Sequence, residues 1–145
     1  MATSAKWFGQ SGGNLIARLW VPQQMGIILM KNTYVPNLDT QLRYSDVSAQ
    51  ELAAAGGYTL GGKEILSRSV SYNAAADEYD MLGDDVTWGP GVTFTTRYGI
   101  VYEMATTDKF LWELLDFGAD FAVSAGYFAV DFVAGVLAVR AAAAV

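Results

Sequence analysis

From Val92 to Glu103 the side chains alternate with a period of two. Val92, Phe94, Thr96, Tyr98, Ile100 and Tyr102 fall on one side, and Thr93, Thr95, Arg97, Gly99, Val101 and Glu103 on the other. That pattern predicts a long strand with its aromatic row turned inward. Met25–Met30 is a continuous apolar run between polar residues and reads as a buried strand. Before it, Asn14 caps a short helix through Trp20, with Leu15, Ile16, Leu19 and Trp20 at helical spacing and Pro22 as its stop. Thr33–Tyr44, with Pro36, Asn37 and Asp39, reads as a loop. Ser48 followed by Glu51 three residues later is a capping box, predicting a second helix through Ala53, Ala54 and Ala55 that ends at Gly56-Gly57.

Strands dominate the remainder. Ile65–Tyr72 alternates loosely, and Val86-Thr87-Trp88 runs into a predicted turn at Gly89-Pro90-Gly91. Phe110–Phe117 is followed by a turn at Gly118 and Asp120, then Phe121–Val123, a gap at Ser124–Gly126, and a terminal hairpin of Tyr127–Phe132 with Val136–Arg140. Strands broken by short Gly/Asp turns predict a mainly β fold: an antiparallel β-sandwich or barrel-like domain with one or two short helices and an extended N-terminal arm. The expected divisions are an arm over residues 1–13, a domain over 14–140, and a tail over 141–145 that lacks a packing period.

A chain of 145 residues is long enough for one domain with a sizeable core, and 52% hydrophobic with 13% aromatic residues supplies it. Nine basic against 15 acidic side chains give a net charge of -6, a poor match to a phosphate backbone, so nucleic acid is not an expected partner. Cysteine and histidine are both absent, which removes disulfides, thiol and imidazole chemistry, and zinc or haem sites built on those ligands. The longest uncharged stretch, Leu19–Met30, has 12 residues and includes Pro22, Gln23 and Gln24, too short and too polar for a spanning helix. Met1–Gln10 has one Lys and no apolar block, so it does not read as a secretory signal. A mean hydropathy of +0.23 is high for a chain without a membrane span and points to surface covered by another subunit.

The candidate chemistry is thin. Gly56-Gly57-Tyr58-Thr59-Leu60-Gly61-Gly62-Lys63 has the glycines of a phosphate loop, but Glu64 follows Lys63 and the spacing is wrong, so it reads as two tight turns around Tyr-Thr-Leu. The acidic residues Asp77, Glu78, Asp80, Asp84 and Asp85 lack the alternation and closing Glu of a calcium loop and read as a solvated turn. Trp7, Trp20, Trp88 and Trp112 are candidates for a sugar platform but read first as core and interface residues. Arg97 faces away from the aromatic row, to pair with Glu103, with an acidic residue on a neighbouring strand, or with a partner subunit. Trp7 and Phe8 stand out as bulky groups on an otherwise small, polar arm.

Several segments in series resemble a known family. They are Tyr34-Val35-Pro36-Asn37-Leu38-Asp39, Tyr44-Ser45-Asp46-Val47 leading to Glu51, the glycine segment 56–63, Asp84-Asp85-Val86-Thr87-Trp88, Thr95–Tyr102, and Leu115-Asp116-Phe117-Gly118. Their order is similar to small virion structural proteins of tailed phages, described as minor structural or head decoration proteins, and covers residues 14–140. The resemblance implies a non-enzymatic protein with no catalytic residues, no cofactor and no metal. It implies a capsid cement or decoration subunit on the phage head surface, with the major capsid protein and neighbouring copies of itself as partners in a homo-oligomer. The alternative is a head-fibre, neck or tail component, including a module for host glycans. Capsid or subunit contacts are expected at Trp7, Phe8, Trp20, Arg97 and Val145.

Overall fold

In a computed structural model, the described residues are 11–75, 78–133 and 136–143. The elements are helix α1 (Ser11–Trp20), strand β1 (Met25–Met30), a one-turn helix α2 (Tyr44–Val47) running into a 3₁₀ turn (Ser48–Gln50), β2 (Lys63–Glu64), β3 (Ser69–Asn73), β4 (Glu78–Leu82), β5 (Val86–Glu103), β6 (Leu111–Val133) and β7 (Val136–Ala143). All pairing is antiparallel. One sheet has the order β2-β1-β5-β6-β7, and β3 with β4 forms a separate two-stranded ribbon. The protein is a mainly β, antiparallel, sandwich-like domain with two short helices.

β1 is apolar throughout because both of its faces are covered. Ile27 and Leu29 belong to the larger of two buried clusters, and Ile28 and Met30 to the smaller. On the larger side lie α1, through Ile16 and Trp20, the ring of Tyr58, and the far end of the hairpin, with Trp88 and Phe128. Arg68 fastens the end of α1: its Nε donates to the Trp20 carbonyl at 3.0 Å and a terminal nitrogen to that of Val21 at 3.3 Å, satisfying carbonyls a helix terminus leaves open. On the smaller side, Tyr34 and Val47 close over Ile28, Ile100 and Tyr102.

β5 and β6 are much longer than the pattern predicts, because residues expected to turn the chain only bend it. Across Gly89-Pro90-Gly91 the pairing passes from Trp88↔Phe128 to Val92↔Gly126, so β5 loops outward without leaving the ladder. Between Thr96↔Phe121 and Tyr98↔Asp116 the extra residues sit in β6, around Gly118, whose φ of 79° is open to glycine at little cost. The ring centroids of Phe117 and Phe128 are 5.4 Å apart, although eleven residues of straight strand would span roughly 36 Å. β6 therefore folds back over itself, and Phe121, Phe94 and Trp88 close on Phe128 from centroid distances of 6.0 to 6.1 Å.

The predicted aromatic row of β5 is divided rather than continuous. Val92 and Phe94 pack with the larger cluster, whereas Tyr98, Ile100 and Tyr102 pack with the smaller and Val101 takes the other side. The exchange falls at the register shift between Thr96 and Tyr98, where buried Thr96 donates its hydroxyl to the Met30 carbonyl at 2.8 Å. Three further expectations are corrected. The first helix begins at Ser11, three residues before Asn14. No helix runs through Ala53–Ala55, because Glu51 is drawn into a bridge with Met30. The tail does not start at 141, since Ala141, Ala142 and Ala143 continue β7 opposite Phe128, Tyr127 and Gly126.

Phe128 is fully buried where both arms of the bent hairpin meet. Phe128→Ala is expected to cost about 3–5 kcal/mol through lost transfer energy and the cavity left behind. Equilibrium denaturation in urea would read this as a lower midpoint with an unchanged slope.

Candidate functional site

The glycine segment does hold an anion, and it is the protein's own. Glu51 is 2% exposed. Its Oε1 accepts from the Tyr58 hydroxyl at 2.7 Å and from the Gly61 backbone N–H at 2.8 Å, and its Oε2 from the Tyr44 hydroxyl at 2.5 Å. The Tyr58 oxygen in turn accepts from the Leu29 N–H at 3.1 Å, and Tyr102 donates to the Gly61 carbonyl at 2.8 Å. The turn that presents Gly61 needs Gly62 beside it. There φ is 68°, and a Cβ would lie 1.9 Å from the Ile27 carbonyl oxygen. A P-loop places its amides on an external phosphate, whereas this turn is spent on an internal carboxylate.

Burial and the neighbouring Glu51 carboxylate push the Tyr58 and Tyr44 hydroxyls well above the ordinary tyrosine value. Tyr102, displaced by the same two causes, is pushed up to about 12. A second buried carboxylate, Glu103, accepts from Trp112 Nε1 at 2.9 Å and from the Thr106 hydroxyl at 2.8 Å. Both glutamates serve the scaffold.

Among the described residues, one accessible feature is a groove of about 450 Å³ between the loop that follows β1 and the start of β6. Tyr34, Leu38, Leu42, Ile100, Leu111 and Leu114 supply its apolar wall, with Asn37, Gln41, Trp112 and Glu113 completing it. The loop is held firmly. Gln41 Oε1 accepts from the Tyr34 hydroxyl at 2.6 Å and the Asn37 N–H at 3.0 Å, and Asn37 Oδ1 accepts from the N–H groups of Asp39 and Thr40. Leu111 N–H donates to the Leu42 carbonyl at 2.9 Å, pinning the loop to β6. Asp46 receives the N–H groups of Leu42 and Arg43 at 2.9 Å each, which holds its carboxyl below the usual range. The same loop leaves Val35 78%, Leu38 73% and Leu42 55% exposed. At the groove, partial burial raises the carboxyl of Glu113 above its ordinary value.

Of the expected contact residues, Trp7, Phe8 and Val145 lie outside the described residues. Trp20 is not a surface contact: it is 1% exposed, its Nε1 donates to the Leu82 carbonyl at 3.1 Å, and its ring sits 6.2 Å from that of Trp112. Its indole is large enough to seal the larger cluster beneath α1, so burial there outweighs display. Arg97 is half-exposed and pairs across the sheet with Asp116 at 3.9 Å, its guanidinium 5.5 Å from the Tyr98 ring. Of the three partners considered for Arg97, this is the acidic strand neighbour. Trp88 is buried and Trp112 half-buried against the same cluster, so neither forms an open sugar platform.

In the acidic segment, Asp84 accepts from the Ser67 hydroxyl at 2.9 Å and Asp85 from the Phe132 N–H at 3.0 Å. Among the described residues no group of three acidic side chains is placed to hold a metal ion, and no helix is long and apolar enough to cross a membrane. Comparison with protein-family models, with curated proteins and with solved structures returned no match.

Sequence reasoning missed Glu51 as a structural centre because Ser48-x-x-Glu51 also satisfies a helix cap. The equal seven-residue spacing of Tyr44, Glu51 and Tyr58 is the one signal that pointed elsewhere. Among the groove residues, Leu42 and Glu113 carried no motif, and Leu38 stood out only as part of the Tyr34–Asp39 segment.

Two outcomes follow from the Glu51 network. Glu51→Gln leaves one acceptor oxygen and an amide facing three donors, so folding stability should fall by roughly 2–3 kcal/mol, measured by denaturant unfolding. In alkaline titration, tyrosines whose folded pKa is raised contribute stability that is complete below pH 10 and lost as the pH passes their folded values. Absorbance at about 295 nm should therefore show Tyr44, Tyr58 and Tyr102 silent near pH 10, ionising together with cooperative unfolding at about pH 12 or above.

Proposed function

We propose that this chain is a non-enzymatic structural subunit of a tailed-phage virion, a cement or decoration protein that binds the major capsid protein and neighbouring copies of itself on the head surface. The observation that carries the reading is the apolar loop Val35–Leu42, held rigid by its own hydrogen bonds yet open to solvent beside a groove. Apolar side chains gathered on an ordered loop are a common mark of a contact surface. The resemblance of the ordered series of segments to small phage structural proteins supports the same reading and includes this loop.

Mechanically, a cement subunit resists the outward load of packaged DNA by adding buried area across joints between capsomers. It needs a stiff body and a sticky face. A bent hairpin cross-packed on Phe128 supplies stiffness, and the exposed apolar side chains of the Val35–Leu42 loop supply contact. Many weak contacts of this kind on one particle sum to durable attachment. Purified particles resolved on a quantified gel should carry the subunit at a fixed integer ratio to the major capsid protein. A few copies per particle would move the assignment to the neck or tail, and absence from mature particles would overturn it.

A further inference from the structure

The five-stranded sheet has two unlike ends. One is β2, only two residues long. The other is β7, whose eight residues pair with β6 alone among the described residues. Every second residue of such a strand turns its N–H and C=O away from its neighbour, so β7 presents a row of backbone donors and acceptors about 26 Å long. Edges of this kind are ordinarily blunted by proline, lysine, a bulge or brevity. The sequence VLAVRAAA holds no Pro, no Gly and one charge, and its pairs with β6 run from Val136↔Val133 to Ala143↔Gly126 without a register shift. We propose that β7 pairs antiparallel with β7 of a second copy of this chain, joining the two sheets into one.

A bare sheet edge specifies the chemistry of its occupant, which is extended backbone. The donor and acceptor pattern of an antiparallel strand is its own complement under a two-fold axis. A second β7 therefore matches the first along its length, as the isologous contact of a symmetric dimer requires. Other edges of the chain fit less well: β2 is too short, and β3 and β4 have five residues each, with Glu78 and Asp80 on β4. The whole chain carries a net charge of -6, which opposes contact between copies, but β7 holds Arg140 and no acidic residue. A mean hydropathy of +0.23 agrees with surface covered by another subunit. The contact deepens the reading as an assembly subunit and rests on it only in expecting copies side by side. Self-association of the isolated chain tests it apart from attachment to particles.

The test combines sedimentation equilibrium of the full chain with amide hydrogen exchange over residues 136–143, and circular dichroism confirms folding. The wild type should dimerise. Alternate amides of β7 should exchange fast in the dilute monomer and slowly in the dimer, a change read on the unaltered protein. Ala138 and Ala142 stand two residues either side of Arg140. Ala138→Lys/Ala142→Lys sets like charges opposite one another for any two-fold axis between residues 138 and 142, and should weaken association by about tenfold or more. A monomeric wild type overturns the proposal. So does a dimer whose β7 amides exchange as they do in the monomer, or a folded lysine variant that associates as well as the wild type. Amides of β7 that are all slow in the dilute monomer would mark the edge as covered within one chain, and would overturn it too. Particles carrying the subunit at an integer ratio despite a monomeric isolated chain would defeat this contact while leaving the capsid reading intact.

Discussion

Burying a carboxylate without a counter-cation is costly, and Glu51 shows where that cost is met. Two tyrosine hydroxyls and one backbone N–H converge on it, and their owners come from two separate stretches of chain: the α2 turn, and the glycine segment that carries both Tyr58 and Gly61. Tyr58 then reaches the β1 backbone, and Tyr102 ties the same glycine turn to β5. Loops without regular hydrogen bonding are thereby fixed against a central strand. The network depends on completeness, since a group with one donor missing would leave an under-satisfied charge in a poorly polarisable interior. The hydrogen bonds hold the α2 segment in place, and that segment in turn follows the loop that bounds the groove. Rigidity in the core thus continues outward to the contact surface.

The second constraint is the bent hairpin. Long antiparallel strands twist and cannot stay flat, so a strand as long as β6 must either expose its apolar face or curl it onto itself. Gly118, together with Ala125 at φ 47°, places the bends where β6 runs ahead of β5. The reward is an aromatic centre built from one strand pair, with Phe117, Phe121, Phe94 and Trp88 around Phe128. Such a core is dominated by pairings distant along the chain.

Much of this was legible in the sequence, though not its meaning at every point. β1 was plain because a strand covered on both faces has no polar position to confuse its pattern. The two glycine turns around Tyr58 and the terminal hairpin were legible for the same local reasons. Gly89, Gly118 and Ser124–Gly126 were correctly seen as interruptions, but a local signal cannot distinguish a turn that reverses the chain from a bulge that keeps it paired. That choice is made by the partner strand. The division of the β5 row at Thr96 has the same origin. Glu51 was misread because capping is a local rule, and the tertiary demand for an acceptor between Tyr44 and Tyr58 overrode it. A groove is an arrangement of distant segments, so Leu42 and Glu113 had no sequence motif to announce them, and the segment that holds Leu38 gave no sign of the cleft beside it.

A surface loop that keeps Val35, Leu38 and Leu42 in water forgoes stabilisation that burial would provide. Covering three such side chains is worth up to about 1.5–3 kcal/mol each. Forming a complex costs an estimated 4–15 kcal/mol in lost translational and rotational freedom. One such contact is therefore weak alone, and its value depends on repetition. Where a neighbour is already held nearby, most of that entropic cost has been met, and each further contact adds nearly its full burial energy. A stiff loop matters in this setting, because ordering a flexible one would consume the same few kcal/mol that the contact supplies. The firm hydrogen bonding of the Tyr34–Leu42 loop and the exposure of its apolar side chains are thus two halves of one physical arrangement, suited to partners that are numerous and close.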